Sequence, residues 1–164
     1  MKRIIIHWTA GTYKFDSLDK KSYHFTIDGD GVVHAGNYTP EANENIADGQ
    51  YARHTKGTNL GSIGVSVAAM GGATQSPLSF GKWPIKKVQW DALVKKVAEL
   101  AKKYKIPVTP KTILSHAEVQ GTLGIKQNGK WDISYLPFDR SVNGATAVGN
   151  LFRAQVADAL SKLK

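Results

Sequence analysis

The chain has 164 residues, 41% apolar and 21% charged, with 22 Lys and Arg against 13 Asp and Glu and a formal net charge of +9. Such a length forms one ordinary domain able to bury roughly two-thirds of its unfolded surface, and the composition excludes collagenous, low-complexity and repeat architectures. The absence of cysteine excludes disulfide scaffolds and thiolate metal sites, so any metal must be held by His, Asp or Glu.

Lys2-Arg3-Ile4-Ile5-Ile6-His7 reads as a short strand. An unbroken β-branched run is expected to be covered on both faces and to end at the edge where α/β sheets build their sites. His7 closes that run. Three isoleucines are fewer than the about 7–15 apolar residues of a signal-peptide core, and no stretch approaches the roughly 18 of a membrane span. The expectation is a protein made in the cytoplasm without its own export signal or stable membrane insertion. Tyr13 to Lys21 is polar and reads as loop. Ser22–Asp28 and Val32–Ala35 read as strands joined by Gly29-Asp30-Gly31, residues that tolerate the positive φ of a tight turn. A period of two puts Tyr23, Phe25 and Ile27 on one face and His24, Thr26 and Asp28 on the other.

Gly36 to Leu60 is a long polar loop carrying His54, and Ser62–Ala68 is nearly apolar, as expected of a central strand. From Pro84, the residues Ile85, Val88, Leu93, Val94, Val97, Leu100, Ala101 and Tyr104 have helical spacing, with proline suited to the first turn. The lysine pairs 86–87, 95–96 and 102–103 on this helix read as a solvated face, since no aromatic residues are interleaved for base stacking. The net charge still points to a polyanionic partner, which leaves nucleic acid, an anionic membrane surface and an anionic wall polymer open. Thr112–Ser115 is a strand leading into His116, much as the isoleucines lead into His7. A loop from Gly121 to Pro137 carries Lys130-Trp131-Asp132, and Ala145 to Lys164 has the spacing of a second core helix.

Two strand-end histidines and an aspartate on the following loop match what a catalytic zinc requires: three His or carboxylate ligands and a fourth position for water. His7, His116 and Asp132 are far apart in the chain, so spacing alone decides nothing. His24 and His34 read as structural. Glu118 reads as a solvated or hydrogen-bonding residue rather than a base.

The segments Ile4-Ile5-Ile6-His7, Tyr23-His24-Phe25 with Asp30-Gly31, His54-Thr55-Lys56-Gly57, Asn59 with Ser62-Ile63-Gly64-Val65, Ser115-His116-Ala117-Glu118-Val119 and Lys130-Trp131-Asp132 occur in that order. In this the chain resembles the zinc-dependent type 2 N-acetylmuramoyl-L-alanine amidases, among them the amidase-type phage lysozymes and the peptidoglycan recognition proteins. The resemblance runs from about residue 3 to residue 139. It implies a single α/β domain over residues 1–164, with a central mixed sheet flanked by helices and a zinc cleft at the strand ends. It also implies Zn2+ on His7, His116 and Asp132, with Lys130 polarising the scissile carbonyl, Tyr23 beside the metal water, and His54 either lining the substrate cleft or serving its own loop.

The expected activity is hydrolysis of the lactyl–L-Ala amide of peptidoglycan by a monomeric phage or prophage endolysin acting on the host cell wall, with no nucleic-acid partner. A non-catalytic peptidoglycan-binding module is the alternative. Three features depart from the family pattern. The stretch between His7 and Tyr23 is short, Ser66 stands where one branch has a catalytic glutamate, and the segment from His116 to Asp132 is long.

Overall fold

The computed structural model describes residues 1–163. Parallel pairing around the first strand organises them. β1 (Arg3–Trp8) lies between β4 (Ser62–Val67) and β5 (Ile113–Ser115), parallel to both. β4 also pairs in parallel with β2 (Phe25–Ile27), which pairs antiparallel with β3 (Val33–Ala35). The order β3-β2-β4-β1-β5 makes a five-stranded mixed sheet with β4 at its centre, where its apolar run places it. The Gly29–Gly31 turn joins β2 to β3, and Gly31 takes the left-handed φ of +82° that its lack of a Cβ allows.

The two faces of the sheet differ in chemistry. Ile4, Ile6, Trp8, Ile63, Val65 and Val67 belong to the main core, which α2 (Lys87–Tyr104) and α4 (Ala145–Ser161) complete with Leu93, Val97, Phe152 and Val156. Burying each such side chain contributes about 1.5–3 kcal/mol. On the opposite face Ile5 and Leu114 form a small apolar cluster with Val119 of α3 (His116–Leu123), against which Leu123 and Ile125 pack. The rest of that face is polar: alternation in the strands places His7 of β1 and Ser62, Gly64 and Ser66 of β4 there, and Ser66 shares a 2.8 Å hydrogen bond with Thr26. Polar groups buried in this way require partners, and no buried side-chain N or O among the described residues lacks one.

The partners come from the long loop, which contains a short 3-10 helix, Pro40–Glu44. Its Asn43, fully buried, accepts from His24 Nε2 at 2.9 Å and from the Ala52 amide at 3.0 Å, and donates to the carbonyls of Ala52 and Asn59. One side chain thereby ties the loop to itself and to His24, the residue just before β2.

Two short helices lie where the sequence reading placed none. α1 (Ser17–Ser22) occupies the end of the Tyr13–Lys21 stretch, takes Ser22 from the expected strand, and is started by a capping box between Asp16 and Asp19. α3 starts at His116, with Ser115 and Glu118 as its capping pair. The expected C-terminal helix ends at Ser161, and Lys164, its last expected residue, lies outside the described residues. No helix among the described residues is long and apolar enough to cross a membrane.

Candidate metal centre and active-site cleft

β1, the start of α3 and the loop after it bring His7, His116 and Asp132 together, all three buried. His7 Nδ1 lies 3.1 Å from His116 Nδ1 and 3.2 Å from Asp132 Oδ2, and His116 Nδ1 lies 3.4 Å from Asp132 Oδ1. Three donor atoms around a tetrahedral cation with bonds of about 2.0–2.2 Å would stand about 3.3–3.6 Å apart. The observed separations, with each histidine taken to its nearer carboxylate oxygen, lie at or just under that range.

The protonation of His7 follows from its neighbours. His54 Nε2 faces the Ser62 carbonyl at 3.1 Å, which can only accept, so the ring donates there and its Nδ1 is bare. That Nδ1 accepts from the Thr55 hydroxyl at 2.8 Å, and both groups lie 3.3 Å from His7 Nε2. His7 therefore donates from Nε2 and presents a bare Nδ1 to His116 and Asp132. Burial holds the His7 pKa down at about 4; the bond that a protonated Nδ1 would donate to the Asp132 carboxylate partly offsets this, and His116 and Lys130 add to the lowering. At Asp132 burial alone would raise the carboxyl, but the bonds with His116 and His7 outweigh it and hold the group below the ordinary carboxylate range. His7 thus stays neutral and Asp132 supplies one fixed negative charge, as a metal site needs.

A cleft of about 480 Å³ opens on this group. Tyr23, His54, Lys130 and the two candidate ligands His116 and Asp132 border it. Trp8 and Trp131, packed edge to face with ring centroids 4.7 Å apart, give it an apolar wall, while Lys56 and Lys126 add positive charge. The Tyr23 ring lies 5.2 Å from that of His7. Burial and the Asp132 charge push its phenol above the ordinary range, so it holds its proton.

A family model described as N-acetylmuramoyl-L-alanine amidase matches residues 1–133. The chain belongs to this family. Membership makes it an amide hydrolase, and its described residues contain a group able to hold a metal. No curated protein sequence matches it.

Solved structures similar to it include the hydrolase AmiA from Staphylococcus aureus in complex with its ligand (TM-score 0.59, 12% identity, 97% of this chain and 72% of that one). Another is the N-acetylmuramoyl-L-alanine amidase LysC from Clostridium intestinale URNW (TM-score 0.56, 15% identity, 95% and 85%). A third is the Ph2119 endolysin from the Thermus scotoductus MAT2119 bacteriophage Ph2119 (TM-score 0.53, 16% identity, 96% and 83%). At these identities the likeness is one of fold.

In this amidase-family chain the remaining sequence expectations meet mixed outcomes. The period-two pattern does not extend back to Tyr23, which is the C-cap of α1 rather than part of β2. Its ring and that of His24 both adjoin the histidine cluster, whereas Phe25 turns to α2, beneath Lys96. His24 is structural: Nδ1 accepts from the Gly64 amide at 3.0 Å and Nε2 donates to Asn43. His34 stacks on Phe15 and bonds Asp28 at 2.7 Å. Glu118 is hydrogen-bonding but not solvated, since it is buried against Arg153. Ser66 serves Thr26. His54 both borders the cleft and satisfies its own loop. The sequence reading passes over Thr55, Asn43, Gln127 and Arg153, and only the Ser115-x-x-Glu118 capping pattern near Arg153's partner could have signalled any of them.

Two tests arise here. A Cβ on Gly64 would lie 2.3 Å from His54 Cγ, in the ring itself. Gly64→Ala is therefore expected to cost about 1–3 kcal/mol by overpacking and to move His54 off His7. Urea unfolding together with hydrolysis assays would show it, and an unchanged variant would mean that the ring can shift freely. The second test concerns acid. Burial holds His24 at about 4, against an ordinary 6.5, and its bond from Gly64 requires a bare nitrogen. Between these values the unfolded chain binds the proton and the folded one does not. Stability is thus complete above pH 6.5 and is lost as pH falls toward 4, by up to about 3 kcal/mol from this group. Unfolding free energies at pH 7 and 4.5 should differ in that sense and less so in His24→Gln; a flat profile in the parent chain refutes the assignment.

Proposed function

We propose that this chain is a zinc-dependent N-acetylmuramoyl-L-alanine amidase that cleaves the amide between the lactyl group of N-acetylmuramic acid and L-alanine in peptidoglycan, and that it serves as a phage or prophage endolysin. The observation that carries this reading is the convergence of His7 Nδ1, His116 Nδ1 and the Asp132 carboxylate at 3.1–3.4 Å from one another. The metal would supply Lewis acidity toward the scissile carbonyl and a water acidic enough to attack near neutral pH.

The chain's own groups supply the rest. Lys130 at the cleft rim offers a cation to the oxygen that gains charge when water adds to the carbonyl. Tyr23, holding its proton beside His7, donates it to the departing nitrogen as the C–N bond breaks and regains one from the water that added to the carbonyl, so the products are a lactyl carboxylate and a stem peptide with a free L-Ala amine. Trp8 and Trp131 provide a surface for the apolar faces of glycan or peptide, and Lys56 and Lys126 suit the carboxylates of a stem peptide. The +9 net charge favours approach to an anionic wall. The endolysin setting is supported by likeness of fold to proteins so named.

Digestion of purified peptidoglycan, read by mass spectrometry, tests this. Stem peptides with a free L-Ala amine should appear, vanish with a chelator and return with zinc. Tyr23→Phe and Lys130→Met should each lower the rate about 10²–10³-fold while retaining zinc. Wall binding with no such peptides at saturating zinc would overturn the reading and leave a non-catalytic recognition module.

A further inference from the structure

The loop between α3 and Asp132 holds a buried side chain that the scheme above does not use. Gln127 is 5% exposed, its backbone amide donates to Gln120 Oε1 at 2.8 Å, and its side chain meets two groups at 2.7 Å. One is the Lys56 carbonyl and the other His116 Nε2. A carbonyl only accepts, so the amide nitrogen of Gln127 must face Lys56, and Oε1 is left for the imidazole. An amide oxygen also only accepts, so His116 must carry its proton on Nε2. A neutral ring then has a bare Nδ1, the atom that lies 3.1 Å from His7 Nδ1 and 3.4 Å from Asp132.

We propose that Gln127 is the positioning residue for His116: it fixes the tautomer and the ring plane so that the Nδ1 lone pair points into the ligand set. The inference rests on the zinc reading above. It gives one short segment command of both histidines. His54 and Thr55 hold His7 from behind, and the carbonyl of the next residue, Lys56, orients the amide that holds His116. Groups behind a ligand that set its orientation commonly account for 10–100-fold in metal affinity, roughly, where they have been removed.

The test is zinc affinity by chelator competition, with the Co2+ absorption spectrum as a readout of coordination. Gln127→Ala is expected to weaken zinc about 10–100-fold and to broaden the Co2+ bands. Gln127→Met keeps the volume without an acceptor and should behave likewise, which covers the case of an alanine variant that does not fold. Gln127→Glu keeps an acceptor toward His116 but cannot donate to Lys56, and should stay within about threefold of the parent. Gln120→Ala cuts the loop's other anchor and should leave affinity near the parent value.

A glutamate variant as weak as the methionine one, or a Gln120 variant as weak as either, would show that loop tethering alone matters and would overturn the proposal. So would parent-like affinity in Gln127→Met. If the parent chain itself binds no zinc, the zinc reading falls and the proposal with it; parent binding with unaffected Gln127 variants removes the proposal alone.

Discussion

Asp132→Asn is expected to lose zinc on dialysis and to hydrolyse peptidoglycan at least about 10³-fold more slowly, an effect of some 4 kcal/mol. The substitution keeps the size and planarity of the side chain but removes the one fixed negative charge of the His7–His116–Asp132 group. The carboxylate is held below its ordinary range by the two histidines, and a neutral amide oxygen cannot replace it beside a dication. Melting provides the second measurement. Zinc at a hundred times its Kd should stabilise the parent by about 2.7 kcal/mol, some 5–10 °C for a chain of this length, and the variant not at all. Without zinc the two should melt within a few degrees of each other. An Asp132→Asn protein that retains stoichiometric zinc and hydrolyses the wall would remove this residue from the centre.

The second large effect is on stability. Arg153 of α4 meets Glu118 of α3 through both guanidinium nitrogens, Nη2 to Oε2 at 2.9 Å and Nη1 to Oε1 at 3.1 Å, with both residues buried. Nη1 also donates to the Ile113 carbonyl, and Glu118 Oε1 accepts from the amide and hydroxyl of Ser115. Gly149 lies so close to the Glu118 carboxylate that an added Cβ would collide with it. Arg153→Met should therefore strand a buried charge and cost about 3–5 kcal/mol, a large share of the roughly 5–15 kcal/mol by which domains are stable. Glu118→Gln in the same chain should recover part of the loss. His116 follows Ser115 directly, so the single variant should also bind zinc more weakly. Urea unfolding measures the first effect; a loss below about 1 kcal/mol would mean that the pair behaves as a solvated one.

Much of the fold can be read from local pattern. The isoleucines of β1 and the apolar run of β4 lie where a doubly covered strand belongs, and the 3.6-residue spacing of Leu93, Val97 and Leu100 marks α2. α1 and α3 escape that reading although their capping pairs, Asp16 with Asp19 and Ser115 with Glu118, stand in the sequence. Helices of six and eight residues have too few turns for periodicity to show. Tyr23 escapes the period-two pattern because alternation holds only where backbone pairing enforces the pleat, and that begins at Phe25.

By itself the sequence determined the residue types of the centre: without cysteine, a metal could be held only by His, Asp or Glu, and two histidines end apolar runs. Tertiary structure alone decided which atoms meet. His7 and His116 come together because β1 and β5 are parallel neighbours, and their Nδ1 atoms face each other because His54, Thr55 and Gln127 occupy the other ring nitrogens. Those three lie on irregular loops, where no period exists to be read, and a polar side chain's partner is set by which backbone folds over it.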